Sequence, residues 1–157
     1  MSVDFQIIPL ASSLFKTYFK MSALELQRAG AYTFKSDEYP CYPCRVSLED
    51  AKVGEIVLAL EFEHHTVHGP YRSSGPIFVR SNASEAKFKK NEIPGMLSHR
   101  LLSVRGYNIK GIMIAAETTP GSDLENILSQ QFQNENVEYI HIHNSSPGCF
   151  NCSVNRA

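Results

Sequence analysis

The strongest constraint on the fold is the run from Glu55 to Glu63, in which hydrophobic side chains recur at every second position. Successive side chains of a β-strand point to opposite faces of the sheet. The alternation therefore predicts a strand that turns one face toward a hydrophobic core. Three histidines follow, and because their spacing fits no zinc motif well we interpret them as part of a solvated loop: His64, His65 and His68.

Other patterns predict further strands and a few helices. Short alternating or apolar runs indicate strands at 5–10, 77–80, 100–107, 109–117, 137–143 and 150–155. Capping boxes mark helix starts, because a serine and a glutamate three residues later cap each other's backbone amides. They occur at Ser22 with Glu25 and at Ser122 with Glu125. The strand, helix and strand between 109 and 143 suggest a right-handed crossover that joins two parallel strands.

These elements define an α+β fold. We predict a single domain over 1–157, built on a mixed, mostly antiparallel sheet with two or three helices. The length of 157 residues suffices for one sizeable core. No internal repeat or long linker divides the chain.

The charge balance excludes some classes of partner. The chain has 15 Lys and Arg against 16 Asp and Glu, a net charge of −1. We therefore expect no nucleic acid and no membrane surface as partner, because both attract strongly basic proteins. The N-terminus lacks a basic leader, and no stretch approaches the roughly 18 apolar residues of a membrane span. We expect a cytoplasmic protein with reduced thiols.

The four cysteines form two turns with two residues between the thiols, Cys41 with Cys44 and Cys149 with Cys152. Two thiolates on one turn can take adjacent corners of a zinc tetrahedron, and a second turn can supply the other two. These turns lie at opposite ends of the chain, so a four-cysteine zinc site requires the fold to bring them together. The alternative is that the thiols pack in or near the core.

Two further histidines lie on a predicted strand. Alternation along 137–143 places Tyr139, His141 and His143 on one face, and Ile140 and Ile142 on the other. Histidines two residues apart on a strand can both bind a metal ion. They can also be ordinary polar strand residues, which is the commoner case.

Polar residues near the cysteine turns suggest a binding site for a small polar or anionic ligand. Guanidinium groups suit carboxylates and phosphates because their donors form a planar fork. We place the site where the cysteine loop, the loop at 70–76 and the C-terminal segment meet, with zinc on the cysteines holding the loops together. The candidate ligand contacts are Arg45, Tyr71, Arg105, His143 and Asn144.

Two other functions stay open. A thiol- or histidine-dependent enzyme would use Cys44 or Cys149 as nucleophile, with His143 as a candidate partner. A protein-interaction module would have no small-molecule site and would present a flat surface without a concave polar pocket.

Several blocks of residues are distinctive, above all Tyr42–Arg45 and Gly75–Val79, with Arg105–Tyr107 and Gly148–Phe150. Together they resemble a bacterial domain-of-unknown-function family, number 1203, over essentially the whole chain. The family pattern includes the second cysteine of the first turn and the first cysteine of the second turn, and the other two are additions in this chain. The resemblance implies a single bacterial domain and no particular activity.

Overall fold

The computed structural model describes residues 2–157, and over that range the strands form two sheets in which all the pairings between strands are antiparallel. The larger sheet has the spatial order β1 (Phe5–Ile8), β8 (Phe150–Arg156), β7 (Tyr139–Asn144), β5 (Leu101–Tyr107) and β6 (Met113–Pro120). The smaller sheet has the order β2 (Ala31–Lys35), β3 (Ile56–His65) and β4 (Ser73–Arg80). The predicted α+β class is confirmed, with the strands divided between two sheets instead of one.

Three α-helices connect these strands in the described part of the chain: α1 (Ala23–Arg28), α2 (Gly95–Ser98) and α3 (Leu124–Phe132). The capping box predicted at the start of α1 is present, with both reciprocal hydrogen bonds. The box predicted for α3 is not formed. A 3₁₀ turn occupies Gly121–Asp123, and Asp123 precedes the helix without a side-chain cap. No helix within residues 2–157 combines the length and the hydropathy needed to cross a membrane.

The connection from β6 through α3 to β7 passes over β5, which pairs with both strands. The two outer strands therefore run in the same direction without being neighbours, and the predicted crossover joins strands that β5 separates. This arrangement puts β7 between β5 and β8, in the interior of the larger sheet.

The main core lies between α3 and one face of the larger sheet. Burying each large apolar side chain there contributes roughly 1.5–3 kcal/mol. The buried members of this core include Leu102, Val104, Leu124, Leu128, Phe132, Ile140, Ile142, Cys152 and Val154. Because Ile140 and Ile142 of β7 point into this core, strand alternation leaves His141 and His143 on the opposite face of the sheet.

A second core lies on the smaller sheet and is formed by Phe15, Leu26, Ala31, Cys44, Val46, Leu58, Leu60, Ile77 and Val79. Strand β3 is the centre of that sheet, and its residues 57–60 are buried on both faces. The prediction of a strand is thus confirmed, but the prediction that only one of its faces is buried is wrong for this half.

The end of β3 brings the smaller sheet to the histidine face of β7. The pairing of β3 with β4 shifts register between Glu63 and His65. Such a bulge changes the direction of side chains, so adjacent residues need not point to opposite faces. His64 and His65 accordingly both pack near His141, with ring centroids 6.2 and 5.2 Å from it. The interpretation of these two histidines as loop residues is wrong, because the strand continues through His65.

Candidate metal centre

Three histidines from the two sheets converge. His64 comes from the end of β3, and His141 and His143 come from β7. One possible ligand atom from each of the three lies within 4.8 Å of the other two. Among residues 2–157, these three histidines form the group whose side chains lie close enough together to hold a metal ion. The group contains no cysteine.

Each of the three imidazoles has a buried ring nitrogen without a hydrogen-bond partner: His64 Nδ1, His141 Nδ1 and His143 Nε2. Leaving a buried polar atom unpaired costs about 1–3 kcal/mol. His143 Nδ1 donates to the carbonyl oxygen of Gly148 at 2.9 Å, because a carbonyl can only accept. In the neutral ring that tautomer leaves a lone pair on Nε2, as in many metal-binding histidines.

The three rings are held in the neutral form. Burial lowers the pKa of His64 to about 4 and the pKa values of His141 and His143 to about 3. The positive charge of Arg105 also lowers the pKa of all three rings. Metal binding requires a deprotonated ligand nitrogen, so the group is ready to bind a cation at neutral pH.

Phe150 forms an apolar wall against the three rings. Its ring stacks on His64, with centroids 5.2 Å apart and planes at 3°. It meets His141 and His143 edge to face at 5.0 and 5.7 Å. An apolar shell of this kind restricts solvent access and lowers the local dielectric constant around a metal centre.

His65 has a positioning role beside the group. Its Nδ1 donates to the carbonyl oxygen of Tyr71 at 2.7 Å, and its Nε2 accepts from the Tyr139 hydroxyl at 2.5 Å. Both ring nitrogens are therefore engaged, unlike those of the three candidate ligands. These bonds attach the loop after β3 to β7. Tyr71, a predicted ligand contact, takes part through its backbone.

The other predicted ligand contacts lie around β7. Arg105 is directly opposite His141 on β5 and donates through Nε to Ser103 Oγ at 3.1 Å. Arg45 is wholly buried and donates to the carbonyl oxygens of Phe150, at 2.7 Å, and Pro43. Asn144 belongs to a separate network: its Nδ2 donates to Cys149 Sγ at 3.3 Å, and its Oδ1 accepts from Asn151 Nδ2 at 2.8 Å.

The four cysteines predicted as zinc ligands lie in different surroundings, and all are free thiols. Cys41 is exposed, Cys44 is buried in the core of the smaller sheet, and Cys149 is half-buried. Cys152 pairs with Ile142 and is buried in the main core, and burial raises the pKa of its thiol to about 12. The potential metal ligands that the structure brings together are histidines.

Residues 41–156 match the model of the family described as "Protein of unknown function (DUF1203)", and the chain belongs to that family. The matched segment contains all three histidines of the cluster. No curated protein and no solved structure matches the chain.

Sequence reasoning identified two of the three histidines and missed the third. Alternation along β7 is a local property, so it placed His141 and His143 on one face correctly. His64 joins them only through the register shift in β3 and the contact between sheets. The one available signal was the pair of adjacent histidines at the end of a strongly alternating run.

Proposed function

We propose that this protein binds a divalent transition-metal ion, with zinc the best fit, through His64, His141 and His143. The observation that carries the proposal is the set of three buried, unpartnered ring nitrogens on rings whose possible ligand atoms lie within 4.8 Å of one another. Imidazole suits zinc, copper, iron and nickel. Three protein ligands with an open fourth position are typical of catalytic zinc sites.

Binding of a zinc ion would require little rearrangement of the three imidazole rings. Zinc–nitrogen bonds of about 2.0–2.1 Å place two ligand nitrogens about 3.4 Å apart in a tetrahedral site. Separations of up to 4.8 Å can close to this value by rotation of the rings, most easily that of half-buried His64. The fourth position would then be free for water or for a small polar ligand, which makes the protein a metal-dependent binding domain.

Zinc titration tests the proposal. We expect the metal-free wild-type protein to bind one Zn²⁺ in isothermal titration calorimetry. His141→Ala and His143→Ala should each weaken binding more than about 100-fold, because loss of an outer-shell partner alone costs about 10–100-fold.

Two matched controls separate this site from other metal ligands. His68 is exposed and outside the cluster, so His68→Ala should bind zinc like the wild type. Cys41 is exposed, so Cys41→Ser should also leave binding unchanged, whereas a zinc ion on the two cysteine turns would be lost. A wild-type protein that binds no zinc, or a His141→Ala variant that binds normally, would overturn the proposal.

A thiol-dependent enzyme is the second candidate, and one observation favours it. The half-buried Cys149 thiol accepts a hydrogen bond from Asn144, and the Arg45 guanidinium lies beside the same sulfur. Nucleophilic cysteines are typically held in place by neighbouring polar and charged groups of this kind.

Alkylation with iodoacetamide tests this candidate. If Cys149 is a nucleophile, peptide mass spectrometry at pH 7 should show it alkylated faster than Cys41, which is more exposed. Asn144→Ala should slow that reaction. Buried Cys44 and Cys152 should stay unmodified in the folded protein and report on unfolding. Faster modification of Cys41 than of Cys149 would remove the thiol mechanism.

A further inference from the structure

We infer that the metal centre takes an oxyanion, the carboxylate or phosphate group of a small ligand, between the metal ion and the side chains of Arg105 and Ser103. The inference rests on the proposed metal site and names the class of ligand that completes it. It is supported by the positions and the hydrogen bonding of Arg105 and Ser103, the two β5 residues opposite the histidines, and by the charge of Arg105.

The register of β5 and β7 sets this arrangement. Arg105 pairs directly with His141, and Ser103 pairs directly with His143. Directly opposed residues of an antiparallel pair have side chains on the same face, with Cβ atoms about 4.5–5.5 Å apart. Both β5 side chains therefore lie next to two of the three proposed metal ligands.

Arg105 has no carboxylate partner among the ion pairs of residues 2–157. Arg72, Arg80 and Arg100 each pair with an acidic residue. Arg105 instead donates through Nε to Ser103 Oγ and lies beside the hydroxyl of Tyr107. A half-buried guanidinium fork without a carboxylate is suited to two oxygens of a carboxylate or phosphate.

Ser103 adds a donor in the same place. Its Oγ accepts the hydrogen bond from Arg105. The hydroxyl proton is not used in that bond and can be donated to an anion. Ser103 is half-buried, which leaves it accessible from solvent.

The charge around the site favours an anion. The proposed ligand set contains three neutral imidazoles and no carboxylate, so a bound M²⁺ keeps its full charge. Arg105 acts electrostatically on all three histidines, and buried Arg45 acts on His143 as well. An oxyanion would offset this concentration of positive charge, which water as the fourth ligand would not.

Anion titration of the metal-loaded protein tests the inference. The protein is first loaded with one equivalent of Co²⁺, whose visible absorption reports directly on changes in the fourth ligand. Inorganic phosphate and acetate are then titrated separately, with neutral acetamide as the control of similar shape. We expect at least one of the two anions to bind and change the cobalt spectrum, and acetamide to have no effect. The stronger anion identifies the phosphate or the carboxylate as the preferred group.

Two variants locate the anion. Arg105→Gln should weaken anion binding about tenfold or more while Co²⁺ binding persists, because it removes the fork and keeps the metal ligands. Arg72→Gln, which removes an exposed arginine paired with Glu63, should bind the anion like the wild type. Anion binding that is unchanged in Arg105→Gln, or absent in metal-loaded wild type, would overturn the inference and leave the metal site standing. Failure of the wild type to bind Co²⁺ or Zn²⁺ would overturn both.

Discussion

Mild acid should destabilise the metal-free protein by several kcal/mol between pH 6.5 and 5. In the unfolded chain a histidine has a pKa of about 6.5, whereas His64, His141 and His143 have folded-state pKa values of about 4, 3 and 3. Within this window the unfolded state binds protons that the folded state does not. Stability is therefore full above pH 6.5 and is lost as the pH falls, by up to about 1.4 kcal/mol per pH unit for each histidine.

Urea denaturation at a series of pH values between 7.5 and 5 measures this slope. His141→Asn should reduce the slope by about 1.4 kcal/mol per pH unit, whatever its effect on absolute stability, since one buried neutral imidazole is gone. His68→Asn, at an exposed histidine outside the cluster, should leave the slope unchanged. A wild-type slope smaller than that of a single histidine would show that the cluster is not buried in neutral form.

Arg45→Ala should destabilise the protein by about 3–5 kcal/mol. Arg45 is 0% exposed and supplies donors to the carbonyl oxygens of Phe150 and Pro43. The substitution leaves two buried acceptors without partners and opens a cavity the size of a long side chain. Because Phe150 packs on all three histidines, zinc affinity should fall as well.

Chemical denaturation of two further variants shows how much of this cost comes from lost side-chain volume at Arg45, and compares it with the loss of an exposed arginine. Arg45→Met keeps most of the side-chain volume and removes the buried charge, so its cost should be smaller than that of Arg45→Ala. Arg72→Ala breaks an exposed ion pair with Glu63 and should cost less than about 1 kcal/mol. An Arg45→Ala variant within 1 kcal/mol of the wild type would mean that Arg45 does not organise the Phe150 wall.

The features that depend on local pattern could be predicted from the sequence. Alternation over 55–63 predicted strand β3, and the Ser22 and Glu25 pair predicted the start of α1. Alternation also placed His141 and His143 on one face of β7. Each of these properties is decided by neighbours within a few positions, through strand geometry or helix capping.

The features that depend on pairing between distant strands could not be predicted. The division into two sheets is set by which strands pair, and so is the position of β5 between β6 and β7. The prediction of a zinc site on the four cysteines relied on the spacing of the two thiols within each turn. Strand β8 turns Cys152 toward the main core, on the face with Ile142 and away from the histidines. His64 reaches the site through a register shift in the pairing of β3 with β4, and no residue pattern near His64 predicts that shift.

The most direct test of the three-histidine metal site is anomalous X-ray scattering at the zinc edge from crystals of zinc-loaded protein. We expect one strong peak about 2.0–2.1 Å from a ring nitrogen of each of His64, His141 and His143. A zinc peak bound by the sulfurs of Cys41 and Cys44, or zinc-loaded crystals without a peak among the three histidines, would contradict the proposed site.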